Sequence, residues 1–210
     1  MTPAVAVPVS LFFDYTCPFC YLASTRLERL AQRYPLKLRW RFIEIHPNVP
    51  VAGHSPAEIG HTPAQWSRIN ATAAQMAAED GVPLVERRLI ANSRRALLLA
   101  QAALELQPAR FPALHRSIFH AYFVDGRNIG DPEVLLGLAR EQGLAEVAEL
   151  AWGGPKFYEK LLSHVELAQQ LKLAEVPALR VGPRVFTGAG SVQTLEQALK
   201  QAGGEHMETP

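Results

Sequence analysis

Apolar residues fall into two rhythms along this chain. Residues 5–13 (VAVPVSLFF) form an apolar run rich in β-branched and aromatic side chains, and residues 36–45 alternate Leu38, Trp40 and Phe42 against Lys37, Arg39 and Arg41. Both patterns predict strands. Pro8 has no N–H for a ladder, so ordered pairing is expected from Val9. Between them, residues 17–34 carry Leu22, Leu27, Leu30 and Ala31 at spacings near three and four, the stripe of a helix that Pro35 ends. The opening is β-α-β.

A loop rich in Pro, Gly and His follows over 46–60, and then helical signals dominate 62–173. Thr62, Pro63 and Gln65 form a capping box with a proline start, for a helix that runs to Asp80 and stops at Gly81. Asn92 or Ser93 caps a helix over 94–106, Pro112 begins one to Phe123, Asp131-Pro132 opens one to near Gly143, and Pro155 opens a long one to about 173. The β rhythm returns in Ala178–Val181 and Arg184–Phe186 around the Gly182-Pro183 turn, and Ser191 caps a last helix to about Gln201. Residues 203–210 read as a frayed polar terminus, with His206 and Met207 not taken as metal ligands. The expected organisation is α/β: residues 1–60 and 174–210 form one domain, and 61–173 a helical insertion whose last helix, about 155–173, packs back on that frame.

With 210 residues, 48% apolar and 20% charged, the chain can bury a core without staples. Lys plus Arg number 21 against 20 acidic residues, and the densest basic spots are the short pairs Arg87-Arg88 and Arg94-Arg95. That balance excludes a basic stripe for nucleic acid. No apolar run approaches the roughly 20 residues of a membrane span. Met1–Ser10 has no basic n-region and is broken by Pro3 and Pro8, so no signal peptide is expected. The expected compartment is the reducing cytoplasm.

There are two cysteines, Cys17 and Cys20, in one C-x-x-C. They lie where a strand turns into a helix. Free N–H groups and the helix dipole favour an anion at a first turn. The leading thiol there gains thiolate character, and the second, three residues on, shares its face. One exposed thiolate beside one shielded thiol suits disulfide exchange, with Cys17 attacking and Cys20 resolving the mixed disulfide. Two blander readings stand beside it: half of a zinc site completed by His46, His54 or His61, and two unrelated buried thiols.

Glu175-Val176-Pro177-Ala178-Leu179 puts a proline at the mouth of a strand. A trans edge proline is the commoner arrangement. A cis Val176-Pro177 bond would present the Val176 backbone to an extended substrate beside the cysteines. Phe19, between the cysteines, brings no charge, so a weaker oxidant is expected than the about −120 mV of a strongly oxidising dithiol. Trp40, Trp66 and Trp152 read as core or groove aromatics. His115 and His120, five apart among Phe111, Ile118, Tyr122 and Phe123, read as packing.

These residues resemble the DsbA-like class of thioredoxin-fold oxidoreductases, and within it the cytoplasmic FrnE-like branch. The resemblance rests on FFDYTCPFCYLA at 12–23, WRFIEIHPNVP at 40–50, LIANSRRALLLAQAALE at 89–105, LHRSIFHAYFVDGRNIGDPEVLLGLAREQGL at 114–144 and EVPALRVGPRVFTGAGSVQTLEQAL at 175–199. It implies a thioredoxin fold with a large helical insertion between the β-α-β and β-β-α halves. It implies Cys17 as nucleophile, Cys20 as resolving thiol and Pro177 as a cis-proline facing them, with Pro18, Phe19 and Val176 lining the substrate groove. The resemblance also implies exchange with protein or low-molecular-weight thiols and disulfides, no bound cofactor or metal, and glutathione as a redox partner. Some relatives carry a second C-x-x-C, which this chain lacks. Tyr21-Leu22-Ala23 is similar as well to the neighbouring 2-hydroxychromene-2-carboxylate isomerases and kappa-class glutathione transferases, which have serines where Cys17 and Cys20 stand. Serine would hold the thiolate of glutathione by a hydrogen bond, whereas cysteine would form a disulfide with it. A binding or chaperone module that kept the frame is a third class, and it would keep its partner affinity with both cysteines changed to serine.

Overall fold

The computed structural model describes residues 6–203. Strand β1 (Val7–Phe13) lies inside a sheet of order β2-β1-β3-β4, with β2 (Leu36–Phe42) parallel to it and β3 (Ala178–Val181) antiparallel. β4 (Arg184–Thr187) pairs antiparallel with β3 as the outer strand. The near-continuous apolar run of β1 follows from this place, since Val7, Val9, Leu11, Phe12 and Phe13 are all buried. β2 is the other edge and alternates, with Lys37 and Arg39 exposed.

β1 starts two residues earlier than expected. Val7 N–H donates to the Pro35 carbonyl, and the Pro8 carbonyl accepts from Gly182 N–H. The Gly182 carbonyl, to which Pro8 cannot donate, accepts from Arg180 Nε instead, so the proline leaves no acceptor stranded.

Helix α1 spans Pro18–Ala31, so Cys17 is its N-cap and not its first helical residue. The reason is local: Pro18 pushes the residue before it out of the helical region, and Cys17 sits at φ −89°, ψ 118°. At the other end the turns through Gln32–Tyr34 lead into Pro35, and the helix closes three residues short of the expected Tyr34.

Between β2 and β3 come α2 (Pro63–Asp80), α3 (Arg94–Leu106), α4 (Phe111–Phe123), α5 (Pro132–Glu141), α6 (Ala145–Trp152) and α7 (Lys156–Gln170). The Thr62–Gln65 capping box forms in both directions, and Gly81 ends α2 at φ +62°, the left-handed conformation glycine adopts freely. Ser93 stands at the cap of α3, but it is the Asn92 side chain that accepts Arg94 N–H. Sequence reasoning missed α6, eight residues between glycines, which buries Val147, Ala148 and Ala151. It also missed the 3-10 turn Pro56–Ile59. α8 (Val192–Gln201) closes the chain, capped by Ser191 as expected. The expectations for Met1–Val5 and for 204–210 lie outside the described residues.

One cluster of buried apolar side chains runs through sheet and helices. Phe13 packs edge-on to His115, and Trp40 packs on Phe111, both from α4. His164 of α7 accepts Phe42 N–H of β2 at 3.2 Å. Arg26 of α1 pairs with Asp80 at the end of α2 at 2.7 Å and donates to the Gly190 carbonyl, drawing helix α2 and the start of α8 onto α1.

Candidate active site

The turn Asp14-Tyr15-Thr16 carries the chain from β1 into α1. Asp14 is fully buried, and its carboxylate accepts four hydrogen bonds. Oδ1 takes Thr16 N–H at 2.6 Å and Thr16 Oγ1 at 2.7 Å, while Oδ2 takes Ile45 N–H at 2.9 Å and Ser93 Oγ at 2.7 Å. A buried carboxylate is tolerable when its lone pairs are filled in this way. One side chain thereby fixes the turn, the exit of β2 and the start of α3. Tyr15 points the other way, its hydroxyl 2.7 Å from His115 Nδ1, while His115 Nε2 lies 2.8 Å from Ser24 Oγ. Burial pushes the His115 pKa down to about 3, so the ring is neutral at pH 7 and serves both contacts with one donor and one acceptor nitrogen. His115 does pack among aromatics, as its neighbours suggested, but it also ties three elements together. His120 instead lies 3.4 Å from Asp125 on the surface.

On this turn stands Cys17. Its carbonyl accepts Cys20 and Tyr21 N–H, starting α1. Its Sγ lies 3.7 Å from the Val176 carbonyl, which accepts from the thiol. The Val176-Pro177 bond is cis. The Cys-Pro-Phe-Cys turn and Val176-Pro177 thus meet across 159 residues of chain. Both cysteines are free thiols. Cys17 keeps only 7% of its surface, less than the open position expected of it, and Cys20 keeps none. Burial holds the Cys20 thiol well above its ordinary pKa, and the neighbouring Cys17 pushes in the same direction. Pro18 and Pro177 are buried, while Phe19 and Val176 are half-buried and rest against the core.

Two residues at this site were not singled out from sequence. Asp14 carried a signal, since Asp two positions before Thr is an Asx-turn pattern. Arg87 carried none beyond its charge. Its Nη1 donates to the Thr16 carbonyl at 2.7 Å, and its guanidinium faces the rings of Trp66 at 4.9 Å and Phe123 at 5.1 Å. Half-buried His46 feels the charges of Asp14, His61 and Arg87, so the loop after β2 borders the same region. Burial is the largest influence and lowers its pKa. His54 instead pairs with Glu58 at 3.2 Å. Among the described residues no group of three or more His, Cys, Asp or Glu is arranged to hold a metal ion. Among them, too, no helix is long and apolar enough to cross a membrane.

Comparison with known proteins agrees with the fold. Residues 8–200 match the family described as DSBA-like thioredoxin domain. Among solved structures, a probable DsbA oxidoreductase of Streptomyces coelicolor superposes with a TM-score of 0.81 at 25% identity, over 93% of this chain and 89% of that one. A 2-hydroxychromene-2-carboxylate isomerase superposes with a TM-score of 0.76 at 24% identity, over 92% of this chain and 95% of that one. The cytosolic disulfide reductase DsbM of Pseudomonas aeruginosa, solved with GSH, gives a TM-score of 0.65 at 23% identity, over 93% of this chain and 95% of that one.

Proposed function

The chain belongs to the DSBA-like thioredoxin domain family, and from that premise we propose that it is a thiol-disulfide oxidoreductase working through Cys17 and Cys20. The observation that carries this reading is the pairing at the start of α1. Cys17 caps the helix beside the Val176 carbonyl, and Cys20 waits one turn inside, fully buried and held as a thiol.

In the reductive direction the Cys17 thiolate attacks one sulfur of a substrate disulfide. A new S–S bond forms to Cys17, the substrate S–S bond breaks, and one substrate thiolate departs. Cys20 then attacks Cys17 Sγ and gives its proton to the second departing thiolate. The enzyme has lost two electrons and holds a Cys17–Cys20 disulfide, and the substrate has gained them as two thiols. Two external thiols, with glutathione as the cellular candidate, return the dithiol. The reverse sequence oxidises a dithiol substrate. Phe19, Pro18 and Val176 line the approach, and the dithiol itself carries the electrons, without a resident cofactor. A cytoplasmic setting fits a chain whose two cysteines form one redox pair, and the cytosolic reductase of the same fold adds to it.

Replacing Cys20 by Ser tests this directly. Incubation with oxidised glutathione or a disulfide-bonded protein should leave a stable adduct on Cys17, visible as added mass, while the parent passes through to an internal disulfide. Titration of the parent in glutathione buffers should then show one two-electron transition. If the variant traps nothing and glutathione binds intact, the exchange scheme is wrong. The glutathione-dependent isomerase reading, which the shared fold with the 2-hydroxychromene-2-carboxylate isomerase supports, would replace it.

A further inference from the structure

The dithiol motif carries no cation, because Phe19 stands between the cysteines. A cation reaches the same turn from elsewhere. Arg87 lies between α2 and α3, 71 residues beyond Thr16, and is only 6% exposed. Its Nη1 donates to the carbonyl of Thr16, the residue before Cys17. Trp66, Phe123 and Tyr122 offer it ring faces at 4.9, 5.1 and 6.0 Å. No carboxylate among the described residues pairs with it, and its buried Nη2 has no hydrogen-bond partner.

A buried guanidinium cannot shed its proton and is normally matched by an anion. One carbonyl, the Tyr122 hydroxyl and the ring faces are all neutral and offset only part of its desolvation. We propose that the missing anion is the Cys17 thiolate, and that Arg87 is the positioning residue that favours this thiolate in the exchange reaction proposed above, on which the assignment of a role rests. The acids that act on Arg87 are Tyr122 and Cys17. Burial raises the Tyr122 phenol, so it stays neutral, which leaves the thiolate as the charge that can complete the pair. The Val176 carbonyl accepts a hydrogen bond from the thiol form only, so ionisation shifts the balance of Cys17 from Val176 to Arg87. The other titratable or charged groups around this region are Cys20 and Asp14 on the β1–α1 stretch, His46 and His61 before α2, and Glu86, Arg88 and Arg127, which line one cavity with Arg87. Asp14 is committed to its four donors, and burial keeps His46 neutral at pH 7.

The test reads the ionisation of Cys17 without any disulfide substrate, so it can fail or succeed independently of the exchange mechanism. In a Cys20→Ser background, the alkylation rate of Cys17 by iodoacetamide is followed from pH 5 to pH 10. Arg87→Gln should slow alkylation at pH 6 by about tenfold, the size expected for loss of one nearby opposite charge. The two rates should converge at pH 10, where the thiol ionises without help, and Arg87→Lys should recover most of the loss. With Cys20 restored, Arg87→Gln should also make the protein a weaker oxidant than the parent in glutathione buffers, since its reduced form loses stabilisation. Equal slowing at both pH values would assign Arg87 to shaping access alone and overturn the proposal, as would an unchanged rate at pH 6. If Arg87→Gln fails to fold, Arg87→Met keeps the packing of the stem and is read in the same way.

Discussion

Asp14 and Arg87 are opposite charges buried around one turn, and the protein treats them differently. The surroundings of Asp14 are complete: two backbone N–H groups and two hydroxyls fill both oxygens. Those of Arg87 are incomplete, with one carbonyl, the Tyr122 hydroxyl, ring faces and an orphaned Nη2, and no anion among the described residues. A satisfied buried charge fixes geometry, because every donor around it is stranded if it goes. An unsatisfied one costs stability and is explained by what it does to its neighbour. On this comparison Asp14 builds the site and Arg87 tunes it.

The largest test removes the complete side. Asp14→Ala should cost about 3–5 kcal/mol in chemical denaturation, because four donors lose a charged acceptor inside the protein. A loss below about 1 kcal/mol, within the range of an ordinary surface change, would mean that water replaces the carboxylate and that the turn does not depend on it. Ser93→Ala removes one of the four and should cost about 1.5–3 kcal/mol, the range for a hydrogen bond to a charged group.

His115 is a third buried polar group beside this turn, solved by neutrality. Its pKa falls from 6.5 in the unfolded chain to about 3 in the fold. The unfolded state therefore binds its proton first as pH drops. The stability tied to neutral His115 is fully present above about pH 6.5 and is lost through the window down to 3, at about 1.4 kcal/mol per pH unit. His164, lowered by burial to about 4, acts with the same sign. Glu28 and Glu44, raised by burial, act with the opposite sign. His115→Gln should flatten the slope between pH 6.5 and 5 without removing it, and an unchanged slope would show that His115 takes up its proton at the same pH in the fold as in the unfolded chain.

The smallest expected effect is on the incomplete side. Arg87→Met removes a buried charge and keeps the volume, so stability should change by about 1 kcal/mol or less. A loss as large as that of Asp14→Ala would erase the distinction between the two charges.

Much of the frame was legible because its signals are local. Thr62-Pro63-Gln65 and Gly81 bracket α2 in the sequence as they do in the fold, and Ser191 opens α8. The alternation in 36–42 reads as a strand with one apolar face, and β2 forms there. Where expectation and structure part, a local rule was met by a distant group. Pro8 joins β1 because Arg180 supplies the donor it lacks. Ser93 leaves its capping role because Asp14 of the first strand claims its hydroxyl. α6 carried too little periodicity to be seen, and its identity comes from what Val147, Ala148 and Ala151 are buried against.

The site divides along the same line. The sequence by itself determined the Cys17–Cys20 pair, its place at a helix start and the proline that makes Cys17 the cap, since each follows from neighbours within a few residues. Only the tertiary structure decided what surrounds the pair: the Val176 carbonyl from 159 residues away, Ser93 on Asp14 from 79, and Arg87 beneath Thr16 from 71. Backbone conformation is set by short-range sterics and hydrogen bonds that one sequence displays. The electrostatics of a buried thiol are set by whichever charges share its low-dielectric surroundings, and chain packing chooses those.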